Sequence, residues 1–461
     1  QTVEWNEINE LLEYACQSGA ESTKQEAIGV VGKAYLREII NWKTVEGFFN
    51  TIHQYNDHTV RLWIVGCTRD CLAEQAIGWP EAEKIVEKYY GSQDHVIQQE
   101  VVNLVSEALF QGEIRPEEFN KYLKSLCEDT TDIITEVALE KIGAALVQDR
   151  CEWTDVKDWL LLAHDSNSEE IALQPVKIVG ASLARQTVTW GQVSEFYRVV
   201  CRDSTSSIIE RALSLVIGNL LQGDLEYSQI DGFFEFAYDH VGESLRRHII
   251  IGLGSCLTTD STDWVDVNDI MRRALESGTD PVAEQVVESI GNGLRDHAIE
   301  WHQVSGLIKT AQQDGSQSVG VDAIKCIKVG INEGLIEWDQ ISGYLRTIID
   351  EGPEPHAEKA VEAVGFSLQN ETLVLNQTAD FLLDCLHSDF DAVAAMAIRS
   401  AGVHLSNDSV SWNDVNDMFQ IAIDIDKPDV VEAGVKSIMT NLLDQNVEWC
   451  AVRSFLDDTR Q

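Results

Sequence analysis

Trp264-Val265-Asp266-Val267-Asn268-Asp269-Ile270-Met271 sets a pattern that the rest of the sequence repeats. Counting from Trp264 as position 1, apolar residues fall at positions 1, 4, 7, 8 and 11, the stripe of an amphipathic helix. Asp263 precedes it as a polar N-cap. After a polar loop a second stripe follows at Val282, Val286, Val287, Ile290 and Leu294 (positions 19, 23, 24, 27 and 31), which predicts a second helix. Trp301 then starts the pattern again, 37 residues after Trp264.

Outward from this segment, Trp5, Trp42, Trp79, Trp153, Trp190, Trp338, Trp412 and Trp449 keep the same phase, and Pro116, Tyr227 and Leu375 fill its three gaps. Repeats therefore start at 5, 42, 79, 116, 153, 190, 227, 264, 301, 338, 375, 412 and 449, with no insertion or deletion. Thr189, Asp263 and Ser411 stand at the cap position, and Thr189 with Gln192 reads as a capping box. Apolar residues one place earlier (Ile77, Val188, Ile299, Ile336, Val447) fit a hydrophobic staple. Position 28, inside the second helix, is glycine at Gly32, Gly143, Gly180, Gly254, Gly291, Gly365 and Gly402. Glycine in mid-helix costs about 1 kcal/mol relative to alanine, so its recurrence predicts a close helix–helix approach. Pro175 is expected to kink its helix or delay its start.

A single two-helix hairpin leaves a hydrophobic face bare, so consecutive hairpins must stack. The predicted fold is all-α: an α-α superhelix of twelve 37-residue hairpins and a partial thirteenth, one continuous solenoid over residues 1–461. Interhelical spacings of 8–10 Å give an expected length of roughly 100–120 Å. Neither end carries a distinct polar capping repeat, which suggests truncation or partners over the ends.

The stretches Asp280-Pro281-Val282-Ala283-Glu284-Gln285-Val286-Val287-Glu288-Ser289-Ile290-Gly291-Asn292-Gly293-Leu294 and Lys427-Pro428-Asp429-Val430-Val431 through Leu442 resemble the second helix of HEAT-like repeats. The resemblance spans nearly the whole chain and departs from that type in the Trp-led first helix and the uniform repeat length. It implies a curved solenoid whose second helices (helices B) line the concave side and bind proteins.

The net charge of −43 repels phosphate backbones and anionic lipid, which argues against nucleic acid and membrane surfaces as partners. It fits a high-salt habitat or a basic protein partner equally well. No apolar run approaches the ~20 residues of a membrane span. Gln1 to Asn6 carry no leader signature and there is no initiator Met, so the chain is expected to be a mature or excised piece. The ten cysteines show no disulfide framework; Cys16, Cys127 and Cys201 share one internal position, and Cys67 and Cys71 lack the second pair that zinc would need. Core thiols are expected, in a reducing compartment, the cytoplasm.

Walker A, G-x-S-x-G, H-E-x-x-H and G-x-G-x-x-G motifs are absent from the sequence, and Gly252-Leu253-Gly254 lacks the third glycine. The eleven histidines, His240, His297 and His302 among them, fall at unrelated repeat positions. Sequons at Asn370, Asn376 and Asn407 carry little meaning without a leader. No catalytic residue, cofactor or metal site is expected, and the chain reads as a non-enzymatic protein-binding scaffold or adaptor. The alternatives are an acidic carrier or chaperone for a basic protein, or the sensor region of a larger signalling protein.

Positions 21 and 25, one turn apart on helix B and away from its stripe, are the expected contact face. They give Leu62, Lys177, Arg247, Lys325, Arg399 and Lys436 as candidate partner-binding residues, joined by Trp63, which stands outside the Trp column, and Arg69, which replaces the position-28 glycine. Trp63 reads equally as an exposed anchor or as packing against a neighbouring repeat. The second repeat is the favoured contact site.

Overall fold

Several of the Trp-led stripes begin a helix where the backbone just before them is capped. In the computed structural model, which describes residues 5–127, 132–230, 232–405, 411–425, 427–444 and 446–458, the Thr189 N–H donates to Gln192 Oε1 at 2.8 Å, and Glu300 to Gln303 and Ser411 to Asp414 at the same distance. The third helical residue thus satisfies a donor that the helix itself cannot. The staple residues Ile77, Val188, Ile299, Ile336 and Val447 are buried beside these caps.

The chain divides into two compact units, residues 1–219 and 220–461. The first contains α1 (Trp5–Ser18), α2 (Glu21–Leu36), α3 (Trp42–His53), α4 (His58–Ala73), α5 (Trp79–Tyr89), α6 (His95–Phe110), α7 (Pro116–Cys127), α8 (Asp132–Val147), α9 (Trp153–His164), α10 (Glu169–Ala184), α11 (Trp190–Asp203) and most of α12 (Ser206–Gln222). The second contains a 3-10 turn (Tyr227–Ile230), then α13 (Phe233–His240), α14 (Glu243–Thr258), α15 (Trp264–Ser277), α16 (Asp280–Arg295), α17 (Trp301–Asp314), α18 (Gln317–Asn332) and α19 (Trp338–Glu351). It continues with α20 (Glu354–Gln369), α21 (Leu375–Leu386), α22 (Asp391–His404), α23 (Trp412–Asp424), α24 (Pro428–Leu443) and α25 (Trp449–Asp458). Among the described residues there is no strand. Odd-numbered helices are the helices A and even-numbered ones the helices B.

Within each unit, helix B packs on the next helix B: α2 on α4, α4 on α6 and α8 on α10 in the first, and α14 through α24 in series in the second. The position-28 glycines are the seats of this packing. A Cβ at Gly143 would lie 2.7 Å from Ile178 Cγ1, at Gly180 2.8 Å from Leu215 Cδ1, and at Gly291 2.9 Å from Cys326 Sγ, all closer than real carbon contacts allow. Each of these side chains stands at position 26 of the following repeat, and Ser289, Ser400 and Ser437 occupy it opposite Gly254, Gly365 and Gly402. The glycine column is therefore a row of holes and position 26 a row of knobs.

The Trp column joins successive helices A. Trp79 meets Tyr122 edge-on at 5.5 Å between ring centroids, Trp153 meets Phe196 at 6.0 Å, and Trp338 meets Phe381 at 5.5 Å, each partner being position 7 of the next repeat. Trp449, with no further helix A packed on it, is 57% exposed.

Two expectations need correction. The seventh helix A does not run from Tyr227 as one helix: it opens as a 3-10 turn, Gly232 sits at φ +69°, and α-helix resumes only at Phe233. Glycine alone takes that conformation without strain. Pro175 does not delay α10, which starts at Glu169 and passes through a buried Pro175.

One regularity has no single residue type as its marker. Position 34, just past helix B, is left-handed in every described repeat, from Glu38 (φ 58°) and Gln75 (φ 56°) to His297 (φ 58°) and Glu371 (φ 60°). The next residue then reaches back across the helix end, as Ala76 N–H does to the Cys71 carbonyl at 3.0 Å, the pattern of a Schellman cap. Gly112, Gly223 and Gly334 are its glycine cases.

Two stability predictions follow from these features. Gly254→Ala should lower the thermal and urea midpoints, a loss of about 1–2 kcal/mol, because its Cβ would lie 2.7 Å from Ser289 Cβ. In a Ser289→Gly background the same change should stabilise, and a double-mutant cycle without a coupling of at least about 1 kcal/mol would refute the knob-and-hole account. Gln75→Gly and Gln186→Gly, which relieve left-handed strain, should each raise the midpoints, by about 0.5–1 kcal/mol.

Candidate functional site

Burying positions 19, 23, 27 and 31 leaves positions 21, 25 and 29 of each helix B facing outward or half-covered. The buried columns repeat from hairpin to hairpin, but position 25 does not: it reads Gly29, Gly66, Asn103, Glu140, Lys177 and Ser214 in the first unit and Ile251, Glu288, Lys325, Glu362, Arg399 and Lys436 in the second. Lys177, Arg247, Lys325, Arg399 and Lys436 are exposed; Leu62, Trp63 and Arg69 are half-buried.

These residues do not form one cluster. In the first unit, Trp63 lines a groove of about 410 Å³ between α2 and α4, so it both packs on the neighbouring repeat and offers part of its ring to solvent. Arg69 turns instead to Glu100 on α6 at 2.5 Å and to Asp70 at 3.0 Å, tying two helices together. Lys177 stands in a groove of about 370 Å³ with Glu136, Glu140 and Gln174. In the second unit, Arg247 and Lys325 converge on a groove of about 280 Å³ across α14, α16 and α18, with Glu284, Glu288 and Asp322 between them. Arg247 Nε donates to Gln285 Oε1 at 3.2 Å, and Lys325 Nζ to Asp322 Oδ1 at 2.7 Å. Lys436 pairs with Glu432 at 2.5 Å on its own helix.

Glu362 shows how the face handles charge. Lys359, on the same helix, donates to it, and Lys328 reaches it from α18 at 3.5 Å while lying 3.9 Å from the centre of the Phe366 ring. The Lys359 hydrogen bond, with a smaller contribution from Lys328, outweighs burial and holds the Glu362 carboxyl below its usual range.

Sequence reasoning missed two core histidines. His356 takes a position 19 that is aliphatic in most repeats, and Gly320 leaves the space for its ring. Its Nδ1 accepts from Gln312 Nε2 and its Nε2 donates to the Gln317 carbonyl, both at 3.1 Å, while Tyr344 donates to Gln312 Oε1 at 2.8 Å. His164 is likewise bonded to the Ala172 carbonyl at 3.3 Å and the Ser204 hydroxyl at 2.8 Å. Neither ring has a nitrogen left for a ligand. Exposed His302 pairs with Glu300 at 3.0 Å, and His297 is one of the left-handed caps.

Cys16, Cys67, Cys71, Cys151, Cys201, Cys256, Cys326 and Cys385 are buried free thiols, and burial pushes Cys16 up to about 11 and Cys201, Cys256 and Cys326 up to about 12. These four thiols stay protonated and are poor nucleophiles. The side chain of Cys127 and the sequon at Asn407 lie outside the described residues. Among the described residues no group of three or more His, Cys, Asp or Glu is placed to hold a metal ion. No described helix is long and apolar enough to cross a membrane.

Because the folded-state value of Glu362 is depressed, its stabilising effect is present above the unfolded carboxyl value of about 4.3 and is lost as pH falls through the lower folded value. Glu362→Gln should therefore melt below the wild type at pH 7, with the difference in melting temperature closing below about pH 4. A difference that is constant from pH 7 to pH 3 would contradict this.

No family model and no curated protein matches the chain. Among solved structures it is similar to the Pds5–Scc1 complex, at 13% identity over 87% of this chain and 73% of that one, with a TM-score of 0.48. It is also similar to the karyopherin Kap121p bound to the extreme C-terminus of the phosphatase Cdc14p, at 9% identity over 99% of this chain and 50% of that one, TM-score 0.49. A third likeness is to Kap121p bound to the SUMO protease Ulp1p, at 10% identity over 99% and 46%, TM-score 0.43. The chain spans about half the length of the Kap121p chains. By its own geometry, with paired helices in unbroken 37-residue phase and helix B packed on helix B, the architecture is HEAT-like.

Proposed function

We propose that this chain is a non-enzymatic scaffold that binds proteins along its outward helix B face. The observation that carries this reading is the contrast between columns. Core positions stay largely apolar from hairpin to hairpin, whereas position 25 differs between all neighbouring hairpins but the first two, drawing on glycine, amide, carboxylate, ammonium, hydroxyl, aliphatic and guanidinium. A surface that changes by one side chain per hairpin can be matched by an extended partner and not by a small symmetric ligand. We further propose that the repeats act as one array, since the phase crosses the boundary between residues 219 and 220 without a break.

The partner is a protein with a basic contact surface. A net charge of −43 makes acidic partners unfavourable and speeds encounter with basic ones. Several cations of the helix B face are paired with carboxylates, as at Arg69, Lys325, Lys328 and Lys436. Their charge is thus largely cancelled, and unpaired carboxylates set the sign of the surface. The proposed compartment is the cytoplasm, where buried thiols stay reduced.

Co-purification from the native source with the full chain tests this. Glu288→Lys, at an exposed carboxylate of the helix B groove, and Trp63→Ala should each reduce recovery of the bound protein at least fivefold, whereas Val265→Asp, at a helix A residue that is 79% exposed, should leave it unchanged. Recovery should also fall steeply between 0.1 and 0.5 M salt, where the screening length shortens from about 10 Å to about 4 Å. Loss on Val265→Asp with full recovery on both helix B variants would place the binding face elsewhere.

A further inference from the structure

Position 25 is glycine in two consecutive repeats, at Gly29 and Gly66. Of the two, Gly29 lines the groove between α2 and α4; a Cβ added there would meet nothing within 4 Å, so the groove is open where this row lacks a side chain. Trp63 forms one wall, and Leu36, an aliphatic side chain left 39% exposed, forms another. The rim carries three carboxylates, Glu26, Asp70 and Glu74, against one ammonium, Lys33. Asp70 is partly neutralised by Arg69; Glu26 and Glu74 are exposed.

We infer that this groove takes an arginine side chain from an extended basic segment of the partner protein, an assignment that rests on the helix B face being the binding face. An aromatic wall beside carboxylates suits a guanidinium better than any other protein group. The planar cation lies on the indole face, its methylene stem covers the leucine, and its N–H donors reach the rim carboxylates. A purely apolar side chain would leave Glu26 and Glu74 stripped of water without a partner, and an acidic one would be repelled. The volume of about 410 Å³ holds one long side chain and the backbone beside it. The other repeats carry a side chain in this row (Asn103, Glu140, Lys177, Ser214, Ile251, Glu288, Lys325, Glu362, Arg399 and Lys436), and neither the Lys177 groove nor the Arg247–Lys325 groove has an indole wall.

The test is selection from a random twelve-residue peptide display library on the immobilised full chain, followed by affinity measurement of the enriched peptides. Enriched peptides should share an arginine whose replacement by norleucine weakens binding at least tenfold. Trp63→Ala should weaken it similarly. Gly29→Met should do so without loss of helical circular dichroism, since its side chain fills the groove and methionine is the better helix former. No enrichment, an acidic or wholly apolar consensus, or affinity unchanged by Gly29→Met overturns the assignment. Peptides that survive Gly29→Met but are lost on Glu288→Lys would refute this groove while leaving the helix B face standing. Peptides lost only on Val265→Asp would refute both.

Discussion

The approach of one helix B to the next is the constraint on which the fold depends. A hairpin of two short helices has one apolar flank more than it can cover, and the flank is covered only where the following hairpin comes close. Closeness is set at position 28: Gly143, Gly180 and Gly291 leave holes into which Ile178, Leu215 and Cys326 fit at distances that a methyl group would forbid. Each glycine gives up about 1 kcal/mol of helix propensity, and the dispersion and burial gained by a dry, interdigitated seam offset it. On the helix A side the Trp column does the complementary task, filling the wider gap with ring edges at Tyr122, Phe196 and Phe381.

Once the seam is fixed, the surface follows from the geometry of a helix. Residues one turn apart on the side opposite the seam cannot reach the core, so they are released from the demands of packing. That release is why position 25 ranges from glycine to charged residues while position 27 stays aliphatic in all repeats but the second, which has Thr68. It also explains why charges on this face find partners along and between neighbouring helices B, as Glu362 does with Lys359 and Lys328. Exposed pairs of this kind contribute little to stability one by one; their effect is to cancel cations locally and leave an acidic surface broken by a few apolar places, of which Trp63 with Leu36 is one.

The left-handed residue after each helix B whose end is described shows a constraint that tertiary structure imposes against local preference. Glu38, Gln75, Asp149, Gln186, Asp260, His297 and Glu371 all adopt φ between 55° and 60°, at a cost of roughly 1–2 kcal/mol each. They hold it because the chain must turn at that residue for the staple side chain two places on to enter the core. Glycine would serve better, and the positions where it occurs, 112, 223 and 334, are three repeats apart.

The sequence by itself determined the helices, their pairing and the phase, because an apolar stripe with a polar cap is a local pattern repeated often enough to average out exceptions. It also marked the close-approach glycines, since a residue that weakens a helix recurs only for a reason. It could not reveal what filled those holes: position 26 is Ile, Leu, Ser or Cys, and only packing shows that these meet the same feature. The break at Gly232, the caps at position 34 and the two core histidines were hidden for the same reason, each being a choice made by neighbours distant in sequence. Of the eight candidate contact residues, their place on helix B was legible from periodicity alone. Which of them are free was decided only in three dimensions, where Arg69 is drawn to Glu100 on the next helix B and Trp63 is left facing an open groove, because the reach of a side chain depends on what stands one repeat away.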